Sequence, residues 1–218
     1  MNKTGIILGS SGLVGSKLLT LLLDSPAYTQ VILFNRKASD IKHVKIIEYL
    51  VDFNQPQSYQ NDIKGDVIFC CLGSTKAKTP NQEDYRKVDY DIPLFFAKQG
   101  IINNVKNYHL ISSLGANANA TSPYLKLKGE IENELKKQNI NGLYIYQPSF
   151  LIGNRLENRP LEKLALGFMK LINPLLVGKL KNYRGIQAET VAKAMINTSL
   201  NAVSGTFTFT SQQIINLA

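Results

Sequence analysis

The sequence predicts a doubly wound α/β fold, a parallel sheet with helices on both faces, formed as one domain over residues 1–218. Three observations carry that expectation. Short apolar runs that read as strands alternate with longer runs of helical spacing. A glycine-rich turn joins the first strand to the first helix. The composition also supplies a core, with 44% hydrophobic and 19% charged residues among 218.

The elements follow in order along the chain. Residues 3–8 (KTGIIL) form an apolar run ending at glycine, and residues 13–24 (LVGSKLLTLLLD) carry helical spacing. Residues 30–35 (QVILFN) read as a buried strand, with further strands at 43–49 (HVKIIEY) and 65–72 (GDVIFCCL). A long helix is expected over 83–103, then a strand at 106–111 (KNYHLI). Residues 122–138 (SPYLKLKGEIENELKKQ) read as a helix with its charges outside, and 142–147 (GLYIYQ) as a sixth strand. After Pro148 the pattern loosens. A helix over 160–172 ends before Pro174, residues 174–186 read as irregular, 188–201 as a helix and 205–210 (GTFTFT) as a strand. The second half is too short for an independent domain, so residues 149–186 are expected to form a small cap on the substrate side of the sheet.

Composition excludes several classes. No run approaches the roughly 20 apolar residues of a membrane span. The N-terminal MNKTGIILGSSGLVG places glycines where a signal peptide needs an apolar core. Cys70 and Cys71 are adjacent and cannot staple distant parts of the fold, which fits a reducing cytoplasm. With two histidines, no CxxC and no HExxH, no metal site is expected. The net charge is +9, but the cations are scattered and no nucleic-acid motif accompanies them, so nucleic acid is not an expected partner.

The first strand runs into Gly9-Ser10-Ser11-Gly12-Leu13-Val14-Gly15 and then a helix. A tight turn there lets the backbone approach a pyrophosphate. Amides at the helix start face the anion, and the last glycine lets helix and strand pack closely. This is the dinucleotide-binding arrangement of a Rossmann-like fold, provided a strand precedes the glycines and a helix follows. The second strand ends in Asn35-Arg36-Lys37. An acidic residue at that point would hold the adenosine ribose and favour NAD. Two cations, with Arg36 able to clamp a 2′-phosphate, favour NADP instead. Asp52 and Phe53, after the third strand, are placed for the adenine edge. Cys71-Leu72-Gly73-Ser74 follow the fourth strand, where the backbone would pass the ribose and nicotinamide, while the two cysteine side chains read as simply buried.

Tyr124 and Lys128 form YxxxK in a helix, and residues four apart share a face. A free tyrosine titrates at about 10. A nearby lysine cation favours the phenolate, and the same lysine can bond a ribose. Such spacings arise by chance, so placement gives this one its weight. Just upstream, the fifth strand ends in Ser112-Ser113, at the sheet edge where doubly wound folds bind ligands.

Gly9, Gly12 and Gly15, then Ser112-Ser113, then Tyr124 and Lys128, in that order, resemble the short-chain dehydrogenase/reductase superfamily. The runs LISSLGANANATSPYLKLKGEIENEL and YQPSFLIGNRLENRP are similar to its atypical, Tat-interacting-protein-like branch, over nearly the whole chain. The resemblance implies a Rossmann fold, bound NADPH and a catalytic serine, tyrosine and lysine. These fall on Ser113 (or Ser112), Tyr124 and Lys128. There are two departures. Gln147-Pro148-Ser149-Phe150 stands where the family often has arginine and glycine around the proline, although Pro148 still matches the nicotinamide-side contact. The serine-to-tyrosine spacing is also shorter than in standard members.

Other features have plainer readings. Arg155 and Arg159 read as solvated charges or as holders of an acidic substrate. The basic amphipathic stretch 161–181 can cover the sheet, a homodimer partner or a membrane surface. His109, Tyr144 and Tyr146 lie in apolar strands and read as core residues. The sequence thus leads to an NADP-dependent oxidoreductase acting on a small carbonyl or alcohol substrate. Tyr124 would protonate the carbonyl oxygen, Ser113 orient it and Lys128 hold the ribose. The alternative is a non-catalytic NADPH-binding sensor or regulatory protein. A sugar-nucleotide epimerase would use the same triad, but the short C-terminal part leaves little room for the sugar.

Overall fold

The computed structural model describes residues 2–74, 79, 81–153 and 184–218. Its strands are β1 (Lys3–Leu8), β2 (Tyr28–Asn35), β3 (Ile46–Leu50), β4 (Val67–Cys70), β5 (Asn107–Ile111), β6 (Gly142–Gln147), β7 (Leu151–Ile152), β8 (Ile186–Gln187) and β9 (Gly205–Thr210). The α-helices are α1 (Leu13–Asp24), α2 (Gln82–Arg86), α3 (Ile92–Ile102), α4 (Pro123–Lys137), α5 (Ala188–Leu200) and α6 (Ser211–Leu217).

Among the described residues, seven strands pair in the order β3-β2-β1-β4-β5-β6-β9, all parallel, and β7 pairs with β8 separately. The doubly wound α/β expectation holds. The apolar runs read as they do because each central strand buries both faces. In β1, Ile7 joins the core under α1 and α5, while Ile6 and Leu8 join the one under α3 and α4. The register sets Leu8 opposite both Phe34 and Cys70, and Cys70 opposite Leu110. The carboxyl ends of β1, β2, β4 and β5 therefore form one edge, and the strand order reverses there between β1 and β4. That reversal leaves a crevice.

Several elements differ from the sequence expectation, among them the short strands β7 and β8, which were not read from the sequence. The long helix over 83–103 is broken: α2 passes through a π-helical turn (Lys87–Asp91) into α3. Pro93, in the first turn of α3, has no N–H to give the carbonyl four residues back, so a regular helix cannot run through it. β3 starts at Ile46 rather than at residue 43, where the chain is still turning. Helix α6 was not read from the sequence, although Thr210 and Gln213 carry the signal: they form a capping box at its start. The helix expected over 160–172, most of the irregular stretch 174–186, the amphipathic stretch 161–181, Arg155 and Arg159 lie outside the described residues. Among the described residues, no helix is long and apolar enough to cross a membrane.

Beneath the sheet edge, His109 is fully enclosed. Its ring stacks on Tyr144 at 4.5 Å, and Nδ1 meets the Tyr146 hydroxyl at 2.9 Å. Burial, and then the charge of Lys3, push this imidazole down to about 3. It is a neutral core histidine, and Tyr144 and Tyr146 pack beside it as expected.

Candidate active site

The turn between β1 and α1 is shaped by close backbone contacts. Gly9 has a φ of +80°, and a Cβ there would lie 2.9 Å from the Cys71 carbonyl oxygen. A Cβ on Gly15 would fall 2.1 Å from the Gly9 oxygen. Gly9 and Gly15 thus act behind the loop, letting strand, turn and helix approach one another. Gly12 is the N-cap of α1, with no side-chain hydrogen bond and no acidic residue in the first turn. The helix start presents amides that no side chain satisfies. Ser10 is buried, and its hydroxyl donates to Asn35 Oδ1 at 3.0 Å.

A cleft of about 2360 Å³ opens from this loop. Ser10, Ser11, Gly12, Leu13 and Val14 line one end, Arg36 and Lys37 flank it, Cys71, Leu72 and Gly73 form the floor, and Tyr124 and Lys128 line the other end. Most of the expected cofactor and catalytic residues therefore share one space. Arg36 and Lys37 are exposed, as an anion clamp must be. The loop that carries them is held from β3: Glu48 Oε1 accepts from Asn35 Nδ2 and from Ser39 N, each at 2.8 Å. Sequence reasoning missed Glu48.

Two expected adenine contacts lie elsewhere. Asp52 is exposed, and its Oδ1 accepts from the Asn54 amide at 2.9 Å, which holds the carboxyl below its usual range. Phe53 packs edge-on against Tyr59 and Phe96. Neither lines the cleft. Position after a strand suggested both; a local turn and an aromatic cluster set their directions instead.

At the other end, α4 begins at Pro123, after Ser122. Tyr124 is 39% exposed at the mouth of the cleft, whereas Lys128, one turn on, is 3% exposed. Lys128 is buried because it has a counter-ion that sequence reasoning missed. Asp89, in the π-helical turn, places Oδ1 2.8 Å from Lys128 Nζ, an ion pair not aligned as a hydrogen bond. Its other oxygen accepts from Ser74 N at 2.8 Å, and Lys128 Nζ also donates to the Ile111 carbonyl at 3.4 Å. Burial is the largest single influence on the Lys128 ammonium and would lower it; the Asp89 carboxylate, together with the Tyr124 phenol and the Cys70 thiol, more than offsets it and holds the group above the usual lysine value. Tyr85, from α2, lines the same cleft, and burial pushes its phenol up to about 12.

The two serines diverge. Ser112 is buried and lines the cleft, but its hydroxyl donates to Glu132 on α4. Glu132, itself buried, also accepts from Gln147 Nε2 at 2.9 and 3.0 Å. Gln147, noted as a family departure, thus tethers β6 to α4. Ser113 is half-buried, does not line the cleft, and makes only a 3.5 Å contact with the Leu114 carbonyl. Pro148 is buried, and its carbonyl accepts from Leu114 N at 2.9 Å.

The fold is that of the short-chain dehydrogenases/reductases. The Bordetella bronchiseptica enzyme WbmH, in a crystal structure with NAD+, shares it with a TM-score of 0.73 at 14% identity, over 98% of this chain and 77% of that one. Within that class the chain belongs to the HIM1 family, whose model matches residues 29–177, in the atypical Tat-interacting-protein-like branch. It is 31% identical to Protein HTATIP2 of Rattus norvegicus over 208 residues, 94% of this chain and 84% of the relative. Against Protein fmp52, mitochondrial, of Aspergillus niger it is 29% identical over 206 residues, 91% of this chain and 88% of the relative.

Proposed function

We propose that the chain is an NADP-dependent oxidoreductase that interconverts a small carbonyl compound and its alcohol. The observation that carries this reading is the cleft itself. It joins a glycine turn of close backbone approach and an uncapped helix start, at one end, to an anchored Tyr124–Lys128 pair at the other. The residues present fit a dinucleotide. Amides at the start of α1 would meet the pyrophosphate, Arg36 the 2′-phosphate, and Lys128 the nicotinamide ribose. The NAD+ in the WbmH structure supports a nicotinamide cofactor, and Arg36 with Lys37 supports the phosphorylated form.

The bound nicotinamide supplies or accepts the hydride. Tyr124 gives a proton to the carbonyl oxygen, or takes it back from the alcohol. We assign the orienting of that oxygen to Ser112, which lines the cleft and whose hydroxyl also braces α4 through Glu132; Ser113, favoured by sequence, does not line the cleft. Lys128 holds the ribose and stays in place because Asp89 does not let it turn to solvent. Cys70 and Cys71 are both free, which fits a reducing compartment. The cytoplasm is our assignment, although the Aspergillus relative is mitochondrial by name.

The test is NADPH titration together with optical assay of NADPH oxidation over aldehydes, ketones and quinones. Tyr124→Phe should leave cofactor affinity almost unchanged and lower turnover by about 10²–10⁴. Tight NADPH binding without oxidation across the panel would instead favour a sensor.

A further inference from the structure

Arg36 and Lys37 stand on a short arch that leaves the end of β2. Its two feet, Asn35 and Ser39, rest on a single atom. Glu48 Oε1 accepts from Asn35 Nδ2 and from Ser39 N, each at 2.8 Å. The near foot is tied twice more. Val51 N donates to the Asn35 carbonyl at 2.9 Å, and the buried Ser10 hydroxyl donates to Asn35 Oδ1 at 3.0 Å. The far foot turns back on itself, with Ser39 Oγ accepting from Ile41 N at 3.1 Å. Register makes this possible. Glu48 pairs with Leu33, so its side chain leaves the same face of the sheet as those of Leu33 and, two residues on, Asn35. Because the carboxylate oxygen accepts, the Asn35 amide turns its nitrogen to β3 and its oxygen to the glycine loop. The glycine loop, the end of β2 and β3 thus share one hydrogen-bonded row, with the arch fixed at its far end.

We propose that Glu48 is a positioning residue for cofactor choice: by holding both feet of the arch on one oxygen, it keeps Arg36 aimed at the 2′-phosphate of NADP. This rests on the NADP reading and deepens it, since the preference for the phosphorylated cofactor then depends on β3 as well as on the arch. Glu48 itself does not line the cleft, whereas Asn35, Arg36, Lys37, Ala38 and Ser39 do. Arg36, Lys37 and Ala38 are exposed. An exposed loop that is ordered only when its ligand arrives loses conformational entropy at that moment, and the loss is subtracted from affinity. An arch tied down in the free protein has met that cost on folding. Aim matters too, because a guanidinium meets phosphate through paired, directional N–H···O bonds. The pyrophosphate is a separate matter: amides at the start of α1 would meet it, and Gly9 and Gly15 set their place. Loss of Glu48 should therefore be felt through the 2′-phosphate and little through the rest of the dinucleotide.

The experiment is calorimetric titration of NADPH and of NADH into the full chain and four variants: Glu48→Ala, Glu48→Gln, Arg36→Ala, and Arg36→Ala with Glu48→Ala. Glu48→Ala should weaken NADPH about tenfold and leave NADH within about threefold of the parent. Glu48→Gln keeps an oxygen at the same reach and should hold NADPH within about threefold of the parent. A residue that merely supports the fold has no reason to be coupled to Arg36. Where the guanidinium is already gone, removing Glu48 should change NADPH affinity by less than about threefold. An unchanged ratio of NADPH to NADH affinity in a folded Glu48→Ala chain would overturn the proposal. So would a glutamine variant as weak as the alanine one, or a further loss of about tenfold in the double variant. Should Glu48→Ala not melt cooperatively, Glu48→Leu keeps the bulk without the acceptor, and the same expectations apply to it. Failure of the NADP reading shows separately, in chains that retain Glu48: the parent would bind both cofactors alike, or Arg36→Ala would weaken both equally.

Discussion

At the glycine-loop end of the cleft, the contacts that set the shape are between backbone atoms: Gly9 against the Cys71 carbonyl, and Gly15 against the Gly9 oxygen. At the α4 end they are between side chains: Lys128 with Asp89, Ser112 with Glu132, Glu132 with Gln147. The first end needs the absence of side chains and tolerates little chemistry. The second holds two buried carboxylates, each satisfied by partners from distant segments. A pyrophosphate is the same in every dinucleotide and can be met by amides. Proton transfer depends on where individual charges sit, so it is built from groups that carry them.

If this contrast is right, the two ends should break differently. Gly15→Ala should do the most damage, because its Cβ would collide with backbone that cannot move aside. The expected outcome is loss of the cooperative thermal transition. Gly12→Val is the informative partner: a Cβ there would lie 3.1 Å from the Gly9 oxygen, a contact a small shift relieves. That variant should melt cooperatively yet show no NADPH binding by calorimetry, which separates shaping the turn from meeting the anion.

At the α4 end the loss should be electrostatic. Lys128→Met leaves Asp89 buried without its cation and should cost about 3–5 kcal/mol in urea unfolding. Adding Asp89→Asn to the same chain should restore part of that. If the double variant is no more stable than Lys128→Met, the pair is not the source of the loss. A smaller effect is expected at the rim. Arg36→Ala should weaken NADPH by about 1.5–3 kcal/mol, 10- to 150-fold, with NADH little changed. Equal loss for both cofactors would remove Arg36 from the 2′-phosphate.

A different kind of effect lies under the sheet, outside both ends. His109 is held down to about 3, against an ordinary histidine value of about 6.5. Below about 6.5 the unfolded chain takes up a proton that the folded chain refuses. Stability should therefore fall as pH drops from 6.5 toward 3, by at most about 1.4 kcal/mol per pH unit. Thermal melts between pH 7 and pH 4 should show that slope, reduced in His109→Gln. An equal slope in the variant would place the acid sensitivity elsewhere.

This difference between the ends also explains what the sequence made legible. Apolar strands and a glycine turn are local patterns, so β1, the loop and α1 could be read directly, and Tyr124 and Lys128 share a helix face by simple spacing. Asp89 could not be read as their partner, because only the folded π-helical turn brings it to Lys128. Glu132 continues the same four-residue stripe beyond Lys128, a signal that passed as a solvated charge. Asp52 and Phe53 were placed by strand order alone, which fixes a backbone position and leaves the side chain's direction to its neighbours. Ser112 and Ser113 differ for the same reason: adjacent residues leaving a strand point opposite ways, and only Glu132 shows which is occupied.

The span from Cys71 to Ser74 meets both ends, with its first carbonyl against Gly9 and its last amide on Asp89. These four residues work as a fixed spacer, like the bridge of a balance whose two pans must hang at a set distance. An insertion or deletion there would shift the phosphate cradle and the lysine anchor together, and no single compensating change elsewhere could restore both. Variation that tunes the substrate therefore has to enter from elsewhere around the cleft, leaving this spacer at its present length.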